Sequence, residues 1–136
     1  MLQRMQSVWL LLASACAFFS LKTTFYMGTN QELIPSYELK GTESFFTILL
    51  TMAIGLLAFI CIFLYKNRTL QINLCVVGIF LTAGLLGLYY YYIQSYSGGT
   101  YGIAALLQGA IVFFFFLALR GIRRDNLIIK ESNRLR

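Results

Sequence analysis

Four long stretches without a charged residue divide the chain. Val8 to Leu21, Phe45 to Tyr65, Ile72 to Ile93 and Gly102 to Leu119 contain no Lys, Arg, Asp or Glu, and roughly 20 such residues cross the ~30 Å hydrocarbon layer as a helix. Lipid offers no partner to backbone N–H and C=O groups, so runs of this length satisfy them internally as α-helices. The pattern predicts an all-α integral membrane protein, a four-transmembrane-helix bundle forming one domain over residues 1–136. Its helices cover about 5–21, 45–65, 72–93 and 102–119, with an outer loop over 22–44 and a cytoplasmic tail over 120–136.

The first run is the shortest and has a rival reading as a secretory signal. Arg4, the apolar stretch from Val8 and the small residues Ala13, Ser14 and Ala15 before Cys16 resemble a lipoprotein cleavage site. Cys16 is followed by Ala17, Phe18 and Phe19 rather than a polar tether, so the run is read as a retained first helix, with Trp9 at the cytoplasmic interface. Within the outer loop, Thr23 to Met27 and Ser36 to Lys40 alternate enough to predict a short β-hairpin turning at Gly28, Thr29 and Asn30. The other reading is an irregular loop punctuated by Pro35.

Tyr89, Tyr90, Tyr91, Tyr92, Tyr96 and Tyr101 flank a second outer turn around Ser97, Gly98 and Gly99. They read as an interfacial belt, since four consecutive residues cover a full helical turn and cannot all face one pocket. Small residues four apart, Ala13 and Ala17, Gly78 and Thr82, Ala83 and Gly87, Ala105 and Gly109, suit the close helix approach on which packing in lipid relies.

Charge supplies the orientation. Arg4, Lys66, Arg68, Arg120, Arg123, Arg124, Lys130, Arg134 and Arg136 fall on one side of the spans, and only Lys22 and Lys40 on the other. Basic residues near a span stay cytoplasmic, so both termini are expected inside. Glu32, Glu38 and Glu43 all lie in the outer loop, which makes the net +6 a basic cytoplasmic face and a slightly acidic outer one.

Candidate chemistry is sparse. There is no His, and no charged residue lies within a span, so acid–base catalysis and proton relays lack their usual carriers. Cys16, Cys61 and Cys75 lie in apolar stretches without supporting ligands and read as free thiols. No catalytic residues, metal ligands or cofactors are expected. Ser14, Thr51 and Gln108 form a polar layer roughly 10 Å inside the outer boundary, read either as interhelical hydrogen bonding or as a small polar site under the outer loop. If the tail continues the fourth helix, Arg120, Arg123, Arg124, Lys130 and Arg134 form a basic stripe on one face. That stripe suits anionic lipid headgroups at the cytoplasmic surface or an acidic partner; nothing beside it reads bases, so nucleic acid is not expected. An up-and-down bundle sets its first and fourth helices side by side, which predicts a partly exposed ion pair between Arg4 and Asp125 contributing at most about 1 kcal/mol.

The ends of the chain carry a resemblance. Met1, Gln3, Arg4, Gln6 and Ser7 followed by Leu10 to Ala13, and Arg120, Ile122, Arg123 and Asp125 followed by Arg134, Leu135 and Arg136, resemble those of a family of small four-span Bacteroidota proteins catalogued as domain of unknown function 4293. The resemblance implies a four-span fold in the bacterial cytoplasmic (inner) membrane and implies no activity. Two functional expectations stand. One is a non-enzymatic accessory or assembly subunit of a membrane complex; the other is a carrier or binding protein for a small apolar or lipid-like ligand. A cavity reaching Gln108 favours the carrier, and a solid core with an exposed small-residue seam favours the subunit.

Overall fold

The computed structural model describes residues 2–30 and 37–136, with backbone alone at 2–4 and 30. Expectations concerning the Arg4 side chain, Pro35 and Ser36 lie outside the described residues. Four helices are present: α1 (Leu2–Ser20), α2 (Phe45–Phe63), α3 (Arg68–Ile93) and α4 (Ile103–Arg134). Three of them, α2, α3 and α4, are long and apolar enough to cross a membrane, whereas the described apolar part of α1 is the shorter stretch Met5–Ser20. Each helix packs against its chain neighbours, and α4 closes the ring against α1.

The α1–α4 seam follows from spacing. On α1, Gln6, Leu10, Ala13, Ala17 and Ser20 are buried; on α4, Ala104, Gln108, Ile111, Phe115, Ala118, Ile122 and Asp125. Alternating steps of four and three keep one stripe facing one neighbour, as in a coiled coil. Ala13 and Ala17 let the two helices approach. The other small residues divide: Gly78 and Thr82 are buried, but Ala83, Gly87 and Gly109 are exposed. Thus the predicted Ala83/Gly87 pair does not pack within this chain.

α4 runs without a break from the apolar region through the basic residues, about 48 Å in all. Its N-terminus follows a strand directly. Gly102 sits in extended conformation, and its N–H donates to the Phe25 carbonyl oxygen at 2.8 Å.

At one end of the helices lies a three-stranded antiparallel sheet, β1 (Thr24–Asn30), β2 (Tyr37–Lys40) and β3 (Tyr96–Tyr101), in the order β2-β1-β3. The sequence reading needs correction here twice. Gly28, Thr29 and Asn30 do not turn; they belong to β1 and pair with β3. The supposed turn around Ser97, Gly98 and Gly99 is strand as well. The physical reason is close approach: Gly28 lies opposite Gly99, and the Tyr26 ring lies so near both that a Cβ at either would crowd it, a cover that glycine pairs in sheets permit. A register shift between Gly28 and Thr29 leaves Gly98 as the extra residue on β3, at φ +71°, where a side chain is disfavoured.

Candidate functional site

A bulge at Phe25 couples the sheet to the helices. Thr24 pairs with Lys40 and Tyr26 with Leu39, leaving Phe25 as the extra residue, and bulges re-aim side chains in this way. Its ring stacks on that of Tyr89 at 3.9 Å between centroids and 5° between planes. Tyr89 is buried, which corrects its place in the interfacial belt; Tyr90 and Tyr91 are exposed, and Tyr92 is half-buried with its hydroxyl 2.9 Å from that of Ser44. One tyrosine of four turns inward, as a full turn of helix requires.

Beneath the stack, the predicted polar residues are all buried but do not bond one another. The Ser14 hydroxyl donates to the Gly55 carbonyl at 3.1 Å, Thr51 to the Thr47 carbonyl at 2.7 Å, and the Gln108 amide to the Ser20 hydroxyl at 3.2 Å. Each therefore closes a separate contact rather than forming a shared cluster. Gln108 Oε1 is buried without a hydrogen-bond partner among the described residues. Ser20 was missed by the sequence reading. Its signal was its place on the same four-three stripe as Ala13 and Ala17.

A cavity of about 360 Å³ opens between the sheet and the ends of α2 and α3, lined by residues including Tyr37, Lys40, Glu43, Tyr92 and Tyr96. Its polar groups are engaged with one another: the Tyr37 hydroxyl donates to Glu43 at 2.8 Å. Burial pushes the Tyr96 phenol above its ordinary value, and the negative charge of Glu43 adds to this. On the sheet's other side, Lys40 at 3.0 Å and Thr24 at 3.1 Å hold the Glu38 carboxyl below its ordinary value by hydrogen bonding. No nucleophile–base pair is present among these groups.

At the opposite end, Asp125 meets Gln6. The Gln6 amide donates to Asp125 Oδ2 at 2.6 Å, with the two residues 6% and 8% exposed. The expected partly exposed Arg4–Asp125 pair is thus corrected in burial: Asp125 lies inside the α1–α4 contact, bonded to a neutral amide, while the Arg4 side chain lies outside the described residues. Gly121 makes room, because a Cβ there would meet Gln6 Cγ at 3.0 Å. Arg120, Arg123, Arg124, Lys130 and Arg134 are all exposed on α4, and Arg120 and Arg124 border a groove against α1.

No curated protein and no solved structure matches the chain. A family model described as a domain of unknown function (DUF4293) matches residues 2–135. That span takes in all four helices and the sheet with its bulge, and the chain therefore belongs to the DUF4293 family.

Proposed function

We propose that this protein is a non-enzymatic subunit of a bacterial inner-membrane complex, crossing the bilayer four times with both termini in the cytoplasm. The nine-to-two division of basic residues supports the orientation, and the packing of apolar α1 between α2 and α4 supports its role as the fourth span. In intact cells, an impermeant thiol reagent is expected to label Met27→Cys and to reach Asn133→Cys only after permeabilisation. The opposite pattern rejects the orientation.

One observation carries the subunit reading. On α3, the small residues Ala83, Gly84 and Gly87 are exposed, between the exposed rings of Phe80 and Tyr91. The rings stand about 16 Å apart along the axis, and nothing lies within 4 Å of a Cβ built at Gly84 or Gly87. This is a notch in the lipid-facing surface. Helices associate in lipid through such close approach, and here none of the described residues fills it. The carrier reading has less support, since Gln108 is fully buried and bonded to Ser20.

Gly84→Leu and Gly87→Leu fill open space, so each is expected to leave the protein's own stability unchanged or raise it by up to about 1 kcal/mol through helix propensity. Purification from native membranes in mild detergent should yield a stoichiometric partner with the parent chain and lose it with either variant. A partner retained by both variants, or none with the parent, defeats the proposal.

A further inference from the structure

The groove between α1 and α4 at the end opposite the sheet has the makings of a ligand site that the basic stripe alone does not describe. It measures about 240 Å³ and is lined by Met5, Gln6, Trp9, Leu117, Arg120, Gly121 and Arg124. Arg120 and Arg124 stand one helical turn apart on the same face, roughly 6 Å between them. Among the described residues that line the groove none is acidic. The nearest acid in sequence, Asp125, is buried and held by Gln6, and among the described residues the ion pair present is Lys40–Glu38 at the far end of the molecule. Two guanidinium groups are therefore left uncompensated beside an apolar wall.

Depth matters as much as charge. Arg120 directly follows the last apolar run of α4, at the level where headgroups begin. Trp9 stacks on Phe114 at 5.8 Å between centroids and still borders the groove, and indole rings favour this boundary. Leu117 and Met5 complete an apolar flank suited to a glycerol backbone and the first carbons of an acyl chain.

We infer that the α1–α4 groove is a binding site for one anionic glycerophospholipid, its phosphate bridged by Arg120 and Arg124 and its upper acyl region laid against Trp9, Met5 and Leu117. Guanidinium groups recognise phosphate through paired N–H donors, and a zwitterionic headgroup would bring its ammonium into a field of two positive charges. Lys130 and Arg134 lie beyond the groove on the same helix and attract the membrane surface without forming this site. The inference rests on α1 and α4 crossing the bilayer.

Trp9 is the only tryptophan in the chain, so its fluorescence reports this groove. The full chain is reconstituted in phosphatidylcholine vesicles containing equal fractions of acyl-brominated phosphatidylglycerol or acyl-brominated phosphatidylcholine, and quenching of Trp9 is compared. The brominated anionic lipid should quench more strongly, with a preference falling roughly fivefold for each of Arg120→Gln and Arg124→Gln and vanishing in the double variant. Lys130→Gln and Arg134→Gln should keep the preference. Added inorganic phosphate should leave it unchanged if the ligand is the lipid; its removal by phosphate assigns the site to free phosphate and overturns the proposal. Equal quenching by the two lipids, or a preference that survives the double variant, overturns it too. Absence of quenching by either lipid rejects the four-span reading itself, an outcome separate from equal quenching. The two arginines are exposed, so circular dichroism should show parental helix content in each variant.

Discussion

Gly102→Ala will separate the three-stranded sheet from α4 and destabilise the protein by about 3 kcal/mol. The added methyl would overlap the Thr24 carbonyl oxygen and lie 2.9 Å from the Thr24 carbonyl carbon. Both atoms are backbone of β1 and cannot rotate aside. Relief requires moving β1 away from the start of α4, which breaks the Gly102 N–H bond to Phe25 and lifts the Phe25 ring from Tyr89. Gly109, about two turns further along α4, supplies the control. Nothing lies within 4 Å of a Cβ there, and Gly109→Ala should be neutral or raise stability by up to about 1 kcal/mol through helix propensity. Reversible unfolding in mixed micelles measures both. Similar effects at the two glycines would show that the β1–α4 junction is not the constraint described.

Gln6→Leu is expected to cost about 3 kcal/mol, because it strips the carboxylate of Asp125 of its donor inside the α1–α4 contact. A buried charge left without a partner is the expensive case, whereas removing both members and filling the space is often close to neutral. Gln6→Leu with Asp125→Leu should therefore recover most of the loss. The double-mutant cycle on the same unfolding assay decides it: a double variant as unstable as the sum of the single ones would mean that the Gln6–Asp125 bond carries no coupling.

The sequence was a good guide to helices and a poor one to what joins them. Uncharged runs of about 20 residues have one structural solution in lipid, so α2, α3 and the apolar part of α4 were legible, as was the neighbouring of α1 and α4. The sheet was half legible. Its glycines at 28, 98 and 99 carry the same signature whether they turn the chain or let two strands approach under a tyrosine, and only the pairing distinguishes these. Asp125 shows a different limit. Charge attraction pointed to Arg4, whose side chain lies outside the described residues, and gave no sign of Gln6. Counting the stripe back from Ala17 and Leu10 arrives at Gln6. Spacing thus points to the Gln6 partner that charge does not reveal. The basic stripe was readable as charge, while its division into two arginines facing a groove and the rest facing outward needed α1 in place.

The two polar contacts along the α1–α4 seam, Ser20 with Gln108 and Gln6 with Asp125, act as the end stops of a ruler. They fix how far one helix may slide along the other, and the first span has the least length to give, since Arg4 and Lys22 bound an uncharged run, Met5–Leu21, that reaches only ~26 Å as a helix. On the four-span reading, a hydrocarbon layer of ~30 Å exceeds that length by several ångströms. α4 cannot tilt independently to absorb the difference, so the lipid must thin beside α1. Mismatch of this kind costs fractions of a kcal/mol per ångström, enough to draw the protein, and any partner docked on it, towards the thinner patches of its membrane.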